Sequence, residues 1–347
     1  MKTIKLLITC AGGSTVPSLI QCLRKSDNFN YVLIGVDSVS AEKTEEILDA
    51  YYQVPNGSDI EYSDKLLDIA LKEDVDFIMP GSDEEALSIS KNINKFNDVG
   101  IVPVVSGIDV LTLISDKLKT YKVLLEHGVK VPEFEVINSV EEIKKSLNKY
   151  QYPQKTVISK PSNSRGGRGL YVFKGEDNPP TWLGSGMRES RVDKEEFTDK
   201  LLEKVVYKDG LVMPALTVPA YDVDIMAIKG DVKTIVVRER VNPSGIPFKG
   251  NKILNNKAIE KYCIEIAKIL ELDGLHDIDL MTNSEGGCCI VEVNPRPSGS
   301  MAASLIAGIP VIDITILALL GEKVPNTCIK SDITVLLDVN NIMSVST

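Results

Sequence analysis

The sequence predicts an α/β protein of several parts, and three stretches carry that expectation. A buried-type strand over residues 4–10 breaks into Ala11, Gly12, Gly13, Ser14 and Thr15, then an amphipathic segment from Val16 to Leu23, which is how a doubly wound unit begins. A strand, a glycine-rich loop and a second strand fill residues 156–173. Two alternating runs, 276–281 and 289–296, flank a turn rich in glycine at Glu285, Gly286 and Gly287 and read as a β-hairpin. At 347 residues the chain has room for two or three domains.

Composition narrows the class. Hydrophobic residues at 43%, charged residues at 25% and aromatics at 5% describe an ordered globular protein. A formal charge of −10 argues against a nucleic-acid surface, which needs concentrated Lys and Arg, so an anionic substrate would require a local basic pocket. No apolar run reaches the length of a membrane span, and the start of the chain lacks a signal-peptide layout. The 6 cysteines show no metal spacing and read as reduced thiols of a cytoplasmic protein. With only His127 and His276, a histidine zinc site or a Ser–His–Asp triad has poor support; His276 is either a helper of the neighbouring acids or a packing residue.

In chain order, Gly12 and Gly13 do not complete G-x-G-x-x-G, which weakens a dehydrogenase reading, although Asp37 ends the second strand where a ribose-binding acid would sit. These glycines serve a ligand or only the turn. A third strand, 77–80, runs into Gly81–Ser82–Asp83–Glu84–Glu85, where Ser82 or Asp83 caps the next helix. Ligands gather at the carboxyl ends of such strands, so 11–15 and 81–85 are candidate cleft walls. A short strand at 102–105 completes an α/β domain over residues 1 to about 110. Residues 115–127 read as a helix, with Gly128 at its cap and Pro132 beyond. Lys117 lies in its first turn, where the dipole disfavours a cation and leaves a place for an anion.

The loop of residues 162–169 carries Gly166, Gly167 and Gly169 beside Lys160, Arg165 and Arg168. It is either a phosphate cradle of backbone N–H groups or a flexible surface hairpin. Walker A spacing is absent. Residues 174–210 read as an exposed insertion, with Trp182 as packing. A kinked strand at 211–216 leads to 221–228, where Asp222 and Asp224 share a face opposite Val223 and Ile225. Arg238 and Arg240 follow strand 234–237 on one side, as an anion clamp or as surface ion pairs; 242–250 is loop and 256–271 helix. With the hairpin turn centred between Glu285 and Gly286, Asp279 faces Glu292, Asp277 faces Asn294, and the other face carries Ile278, Leu280, Val291 and Val293. Acids within roughly 5 Å of one another repel unless a cation sits among them. Oxygen donors of this kind suit Mg²⁺ and the phosphates it brings, the alternative being a solvated face with chance acids.

Taken in order, Asp116–Lys117, Lys160–Pro161 with the glycine loop, Asp222–Val223–Asp224 and Glu292–Val293–Asn294–Pro295–Arg296 resemble the ATP-grasp superfamily, in its branch similar to the carbamoyl-phosphate synthetase large chain. The resemblance implies a Rossmann-like pre-ATP-grasp domain over residues 1–112, linker helices and a mobile lid over 113–212, and an α+β ATP-grasp subdomain over 213–347. It implies ATP held by Lys117, Lys160, Ser164, Gly166, Gly167, Gly169, Met213, Ala215, Leu216 and Asp224, and two Mg²⁺ ions, with Mn²⁺ as substitute, held by Asp279, Glu292 and Asn294. Arg296 and Arg238 would be catalytic. The implied activity is a carboxylate–amine ligase acting through an acylphosphate on small molecules; composition adds neither membrane nor nucleic acid as partner, and a homodimer is the default expectation because it is the commonest assembly. The alternatives are a non-catalytic ATP-binding regulatory protein and a carbamoyl-phosphate-synthetase-like half. Three positions depart from the pattern: Ala220 replaces a common glutamate, Asp279 stands where Gln or Glu is usual, and Pro297–Ser298–Gly299 replaces Ser–Arg.

Overall fold

The computed structural model describes residues 1–40, 42–164, 167–177, 190–192, 197–241, 250–325, 333–336 and 344–346, which form three sheets. The first contains β1 (Lys2–Ile8), β2 (Phe29–Asp37), β3 (Ala50–Gln53), β4 (Phe77–Met79) and β5 (Val102–Pro103) in the order β3-β2-β1-β4-β5, with all pairings parallel. Strand order reverses between β1 and β4, and the crevice of such a sheet opens there, at the carboxyl ends. Residues 9–15 and 81–85 therefore face each other. They touch so closely that a Cβ on Gly81 would stand 2.4 Å from the Thr9 carbonyl oxygen. Ser82 caps helix Asp83–Lys91, its side chain accepting from the Glu85 N–H.

The second sheet contains β6 (Glu135–Ile137), β7 (Val157–Lys160), β8 (Tyr171–Phe173), β9 (Ser190–Val192) and β10 (Gly210–Pro214), ordered β6-β10-β7-β8-β9. Its small core gathers Ile137, Phe173 and Val212 with Ile143 and Leu147 of helix Val140–Lys149 and Leu202 of helix Asp199–Val205. The two strands expected around the glycine loop are β7 and β8, paired antiparallel. Arg165, Gly166, Trp182 and the loop 242–249 lie outside the described residues.

The third sheet contains β11 (Thr217–Ile228), β12 (Asp231–Arg240), β13 (Asn251–Leu254), β14 (Gly274–Thr282), β15 (Cys288–Asn294), β16 (Thr334–Leu336) and β17 (Ser344–Ser346), ordered β15-β14-β11-β12-β13-β16-β17. Alternation sends Val223, Ile225, Ile278, Leu280 and Val293 to one face, against Ile259, Cys263 and Ile266 of helix Lys257–Ile269. One residue departs from expectation. A bulge between Asp279 and Leu280 pairs Leu280 with Ile290, so Ile290 takes the core position and Val291 turns away to pack beside Met213, Leu216 and Met281. Its carbonyl accepts a 2.7 Å hydrogen bond from the Tyr121 hydroxyl. Among the described residues, no helix is long and apolar enough to cross a membrane.

Candidate active site

Strand register sets the charged face. Arg238 of β12 faces Asp222 of β11, Asp222 faces Asp279 of β14, and Asp279 faces Glu292 of β15. The adjacent row joins Asp224, Asp277 and Asn294. The pairing of Asp279 with Glu292 and of Asp277 with Asn294 is the one the turn predicts. Oxygens of Asp222, Asp277 and Asp279 lie within 4.8 Å of one another, so the face needs cations.

Arginines supply them. The Arg240 guanidinium bridges Asp222 and Asp279, the latter at 3.0 Å, and Arg296 Nη1 lies 3.8 Å from Asp277. Burial opposes ionisation of Asp222, but Arg240 and Arg238 outweigh it and hold the carboxyl at about 2. For Asp279, burial wins over Arg240, and the charges of Asp222 and Glu292 help push it up to about 7. Asp277 is raised well above the usual range by burial and by the carboxylates of Asp279 and Asp222. Its Oδ2 accepts from Asn294 Nδ2 at 3.2 Å, while its Oδ1 is buried without a hydrogen-bond partner.

The second sheet's loop meets this face through Lys117. Asp116 caps helix Lys117–Glu126 by accepting from the N–H groups of Leu118 and Lys119. The Lys117 N–H donates to the Ser162 carbonyl at 2.8 Å, its ammonium donates to the Ser164 carbonyl, and the same Nζ lies 2.8 Å from Glu292 Oε2. Lys160 is buried nearby, its ammonium 5.8 Å from the Tyr121 ring centre. Burial, reinforced by the charge of Lys117, lowers Lys160 to about 7. Burial also opposes the charge on Glu292, but Lys117 and then Lys160 hold its pKa below the ordinary value. Gly167 and Gly169 take φ values of +74° and +72°, and a Cβ on Gly169 would crowd Pro161 at 3.0 Å. Met213 and Leu216 join Ile158, Val172 and Met281 in an apolar wall between the second and third sheets, while Ala215 donates its N–H to Thr156 at 3.1 Å.

Two expected residues are not brought to the open part of the site. Arg238 and Asp224 are both fully enclosed and paired at 2.7 Å. Arg238 also donates to Ser300 and Asn251, and Asp224 accepts from Ser304 at 2.6 Å. The pair forms neither an anion clamp nor a surface salt bridge; it braces the segment after Arg296. Arg296 itself joins two parts of the molecule: its Nε lies 3.2 Å from Asp83, the first residue of the helix after β4, and its Nη2 reaches Asn294 at 3.5 Å. His276 is enclosed, with Nδ1 3.0 Å from the Asn294 carbonyl oxygen and Nε2 2.8 Å from the Ser106 hydroxyl, so it packs against the strand that carries Asn294. Asn251, Ser300 and Ser304 carry no pattern in the sequence that marks them; only pairing across distant strands gathers them.

Family models identify ATP-grasp domains in this chain. Residues 207–342 match the family model described as ATP-grasp in the biosynthetic pathway with Ter operon, 114–183 the RimK-like ATP-grasp domain, and 6–105 the PylC-like N-terminal domain. The chain is similar to carbamoyl-phosphate synthase of Methanobrevibacter smithii, 25% identical over 284 residues that cover 77% of this chain and 69% of that one. It is 22% identical to the carbamoyl phosphate synthase large chain of Methanosarcina barkeri, matching 86% of this chain but only 27% of that protein. The fold is similar to that of N5-carboxyaminoimidazole synthetase from Staphylococcus aureus complexed with ADP, with a TM-score of 0.68, 16% identity, and coverage of 97% of this chain and 83% of that one.

Proposed function

We propose that this ATP-grasp protein is a ligase that uses ATP to join a carboxylate to an amine. The observation that carries the reading is the Lys117–Glu292 ion pair beside buried Lys160 and under the loop at Ser162 and Ser164. It supports a reading in which Lys117, at a helix start, and Lys160 of the second sheet meet phosphate beside Glu292 of the third sheet as a metal ligand. The donors also fit a hard divalent ion: clustered carboxylates, a buried and unpartnered Asp277 oxygen, and the amide of Asn294.

Asp279, Glu292 and Asn294 would hold two Mg²⁺ ions, or Mn²⁺ in their place. Bound there, the ions supply neutralisation of the phosphate oxygens. Lys117 and Lys160 orient the phosphates, backbone groups at Ser164, Gly167 and Gly169 cover them, and the wall at Met213, Ala215 and Leu216 receives the adenine. In the first step a substrate carboxylate oxygen bonds to the γ-phosphorus as ADP leaves. In the second an amine nitrogen bonds to the acyl carbon, loses a proton, and inorganic phosphate departs. Arg296, pinned between Asp83 and Asn294, stabilises charge that develops at the reacting group. The substrates, both small molecules, enter from the crevice at residues 11–15 and 81–85. The free thiols of Cys10, Cys22, Cys263, Cys288 and Cys289 suit a reducing cytoplasm, and a homodimer is the expected assembly.

The test is ADP release over a panel of carboxylates and amines with Mg²⁺. ADP formation that requires one carboxylate and one amine together supports the ligase; tight ATP binding with no ADP from any pair ends the proposal in favour of a regulatory binder.

A further inference from the structure

Arg240 is the cation on the charged face to which the ligase reading gives no task. Its guanidinium makes two kinds of contact. Nε donates to Asp222 Oδ1 at 3.0 Å and Nη2 donates to the same oxygen. Asp222 is 1% exposed and its other oxygen accepts from Asn251 Nδ2 at 3.3 Å, so this contact is anchored. Nη2 also reaches Asp279 Oδ1 at 3.0 Å, and there both partners open to solvent, the side chains of Arg240 and Asp279 being 16% and 19% exposed. Next to them Asp277 keeps a buried oxygen with no partner, so the three clustered aspartates hold more acceptor capacity than the arginines fill.

We propose that Arg240 is a stand-in cation and a substrate-binding residue. It neutralises Asp279 until that carboxylate takes a divalent cation, and then, still hinged on Asp222, it presents its freed edge to the carboxylate substrate. The proposal rests on the ligase reading. A guanidinium and a divalent ion sharing one carboxylate oxygen repel, so Arg240 yields Asp279 when the ion arrives. Its two bonds to Asp222 keep it from leaving the site. The planar fork of a guanidinium then matches a second carboxylate, a pairing that a lysine ammonium does not reproduce. Arg238 is debarred from this part because it is fully enclosed against Asp224, Ser300 and Asn251.

The test uses Mn²⁺ alone, counted as free ion by electron paramagnetic resonance on the full chain. Arg240→Met binds Mn²⁺ about tenfold more tightly than the unaltered protein, and Arg240→Lys restores the competition. Equal or weaker Mn²⁺ binding by Arg240→Met overturns the proposal. A second measurement needs no variant: phenylglyoxal labelling of Arg240, read by peptide mass, speeds up when Mn²⁺ is added and slows again when acetate is added with the Mn²⁺. Labelling indifferent to Mn²⁺, or indifferent to acetate in its presence, also overturns it. If the unaltered protein forms no ADP with any carboxylate and amine pair, the ligase reading fails and takes this proposal with it; if ADP is formed but Mn²⁺ binding by Arg240→Met is unchanged, only the role of Arg240 falls.

Discussion

The two faces of the third sheet are built by the same strands, yet they are stabilised in opposite ways. On one face Val223, Ile225, Ile278, Leu280, Ile290 and Val293 meet the helix Lys257–Ile269 and lose water to apolar neighbours. On the other, Asp222, Asp224, Asp277, Asp279 and Glu292 crowd together against Arg238, Arg240, Arg296 and Lys117, and each pair gives up solvation that its Coulomb attraction only partly restores. The first face would hold this fold with no ligand at all. The second makes sense as a surface kept charged for something that binds it. It is divided in turn: its Arg238–Asp224 end is sealed, while its Arg240–Asp279 end opens.

Breaking the comparison at its most consequential point means removing one charge from the open end. Glu292→Gln keeps the shape of the side chain and its place opposite Asp279, and is expected to lower nucleotide-dependent turnover by about a thousandfold with circular dichroism unchanged. Turnover within a few-fold of the unaltered protein would divorce this face from the chemistry. The sealed end answers differently. Arg238→Met leaves Asp224 enclosed without its cation and costs about 4 kcal/mol of stability in urea unfolding, whereas Arg240→Met, which opens to solvent with Asp279 although its other partner Asp222 is enclosed, costs about 2 kcal/mol. Equal losses would mean the two ends are not distinct. On the apolar face, Ile278→Ala removes packing from a fully buried site and costs about 3 kcal/mol, with nucleotide affinity by calorimetry unaltered.

Much of this division is legible in the order of the amino acids. A side-chain period of two, together with a turn centred between Glu285 and Gly286, assigns these acids to one face, and Asp279 does lie opposite Glu292. The order of lysine, glycine loop and acid-bearing hairpin carries the superfamily. What the sequence hides depends on depth and on distant contacts. Alternation assigns Arg238 and Arg240 to one side but says nothing about which of them Ser300 and Asn251 will enclose. The bulge that turns Val291 out of the core inserts one residue where the alternating pattern is unbroken in sequence. Strands β3 and β6, of four and three residues, are too short to show a period. The Lys117–Glu292 pair joins a helix start to a strand far along the chain, and no local pattern encodes it.

The smallest effect carries the sign that tells the two faces apart. Lys160 is buried, and burial together with Lys117 lowers its pKa to about 7, against 10.5 for the group at its ordinary value. The unfolded chain then binds the proton more tightly than the folded one, so this lysine's contribution to stability rises as pH climbs from about 7 towards 10 and is lost as pH falls back through that range. At neutral pH the lysine works against the empty protein. Lys160→Met, of similar length and with no charge to desolvate, is therefore expected to stabilise the nucleotide-free chain by about 1 kcal/mol at pH 7 and to flatten the pH dependence of its melting temperature between 7 and 10. On the proposed role of Lys160 at the phosphates, the same change is expected to weaken nucleotide binding. A core position on the opposite face has no such trade: there every truncation destabilises, and none alters affinity. If Lys160→Met melts lower than the unaltered protein at pH 7, the lysine is a structural partner of Glu292, and the charged face is held together by its own pairs without waiting for a ligand.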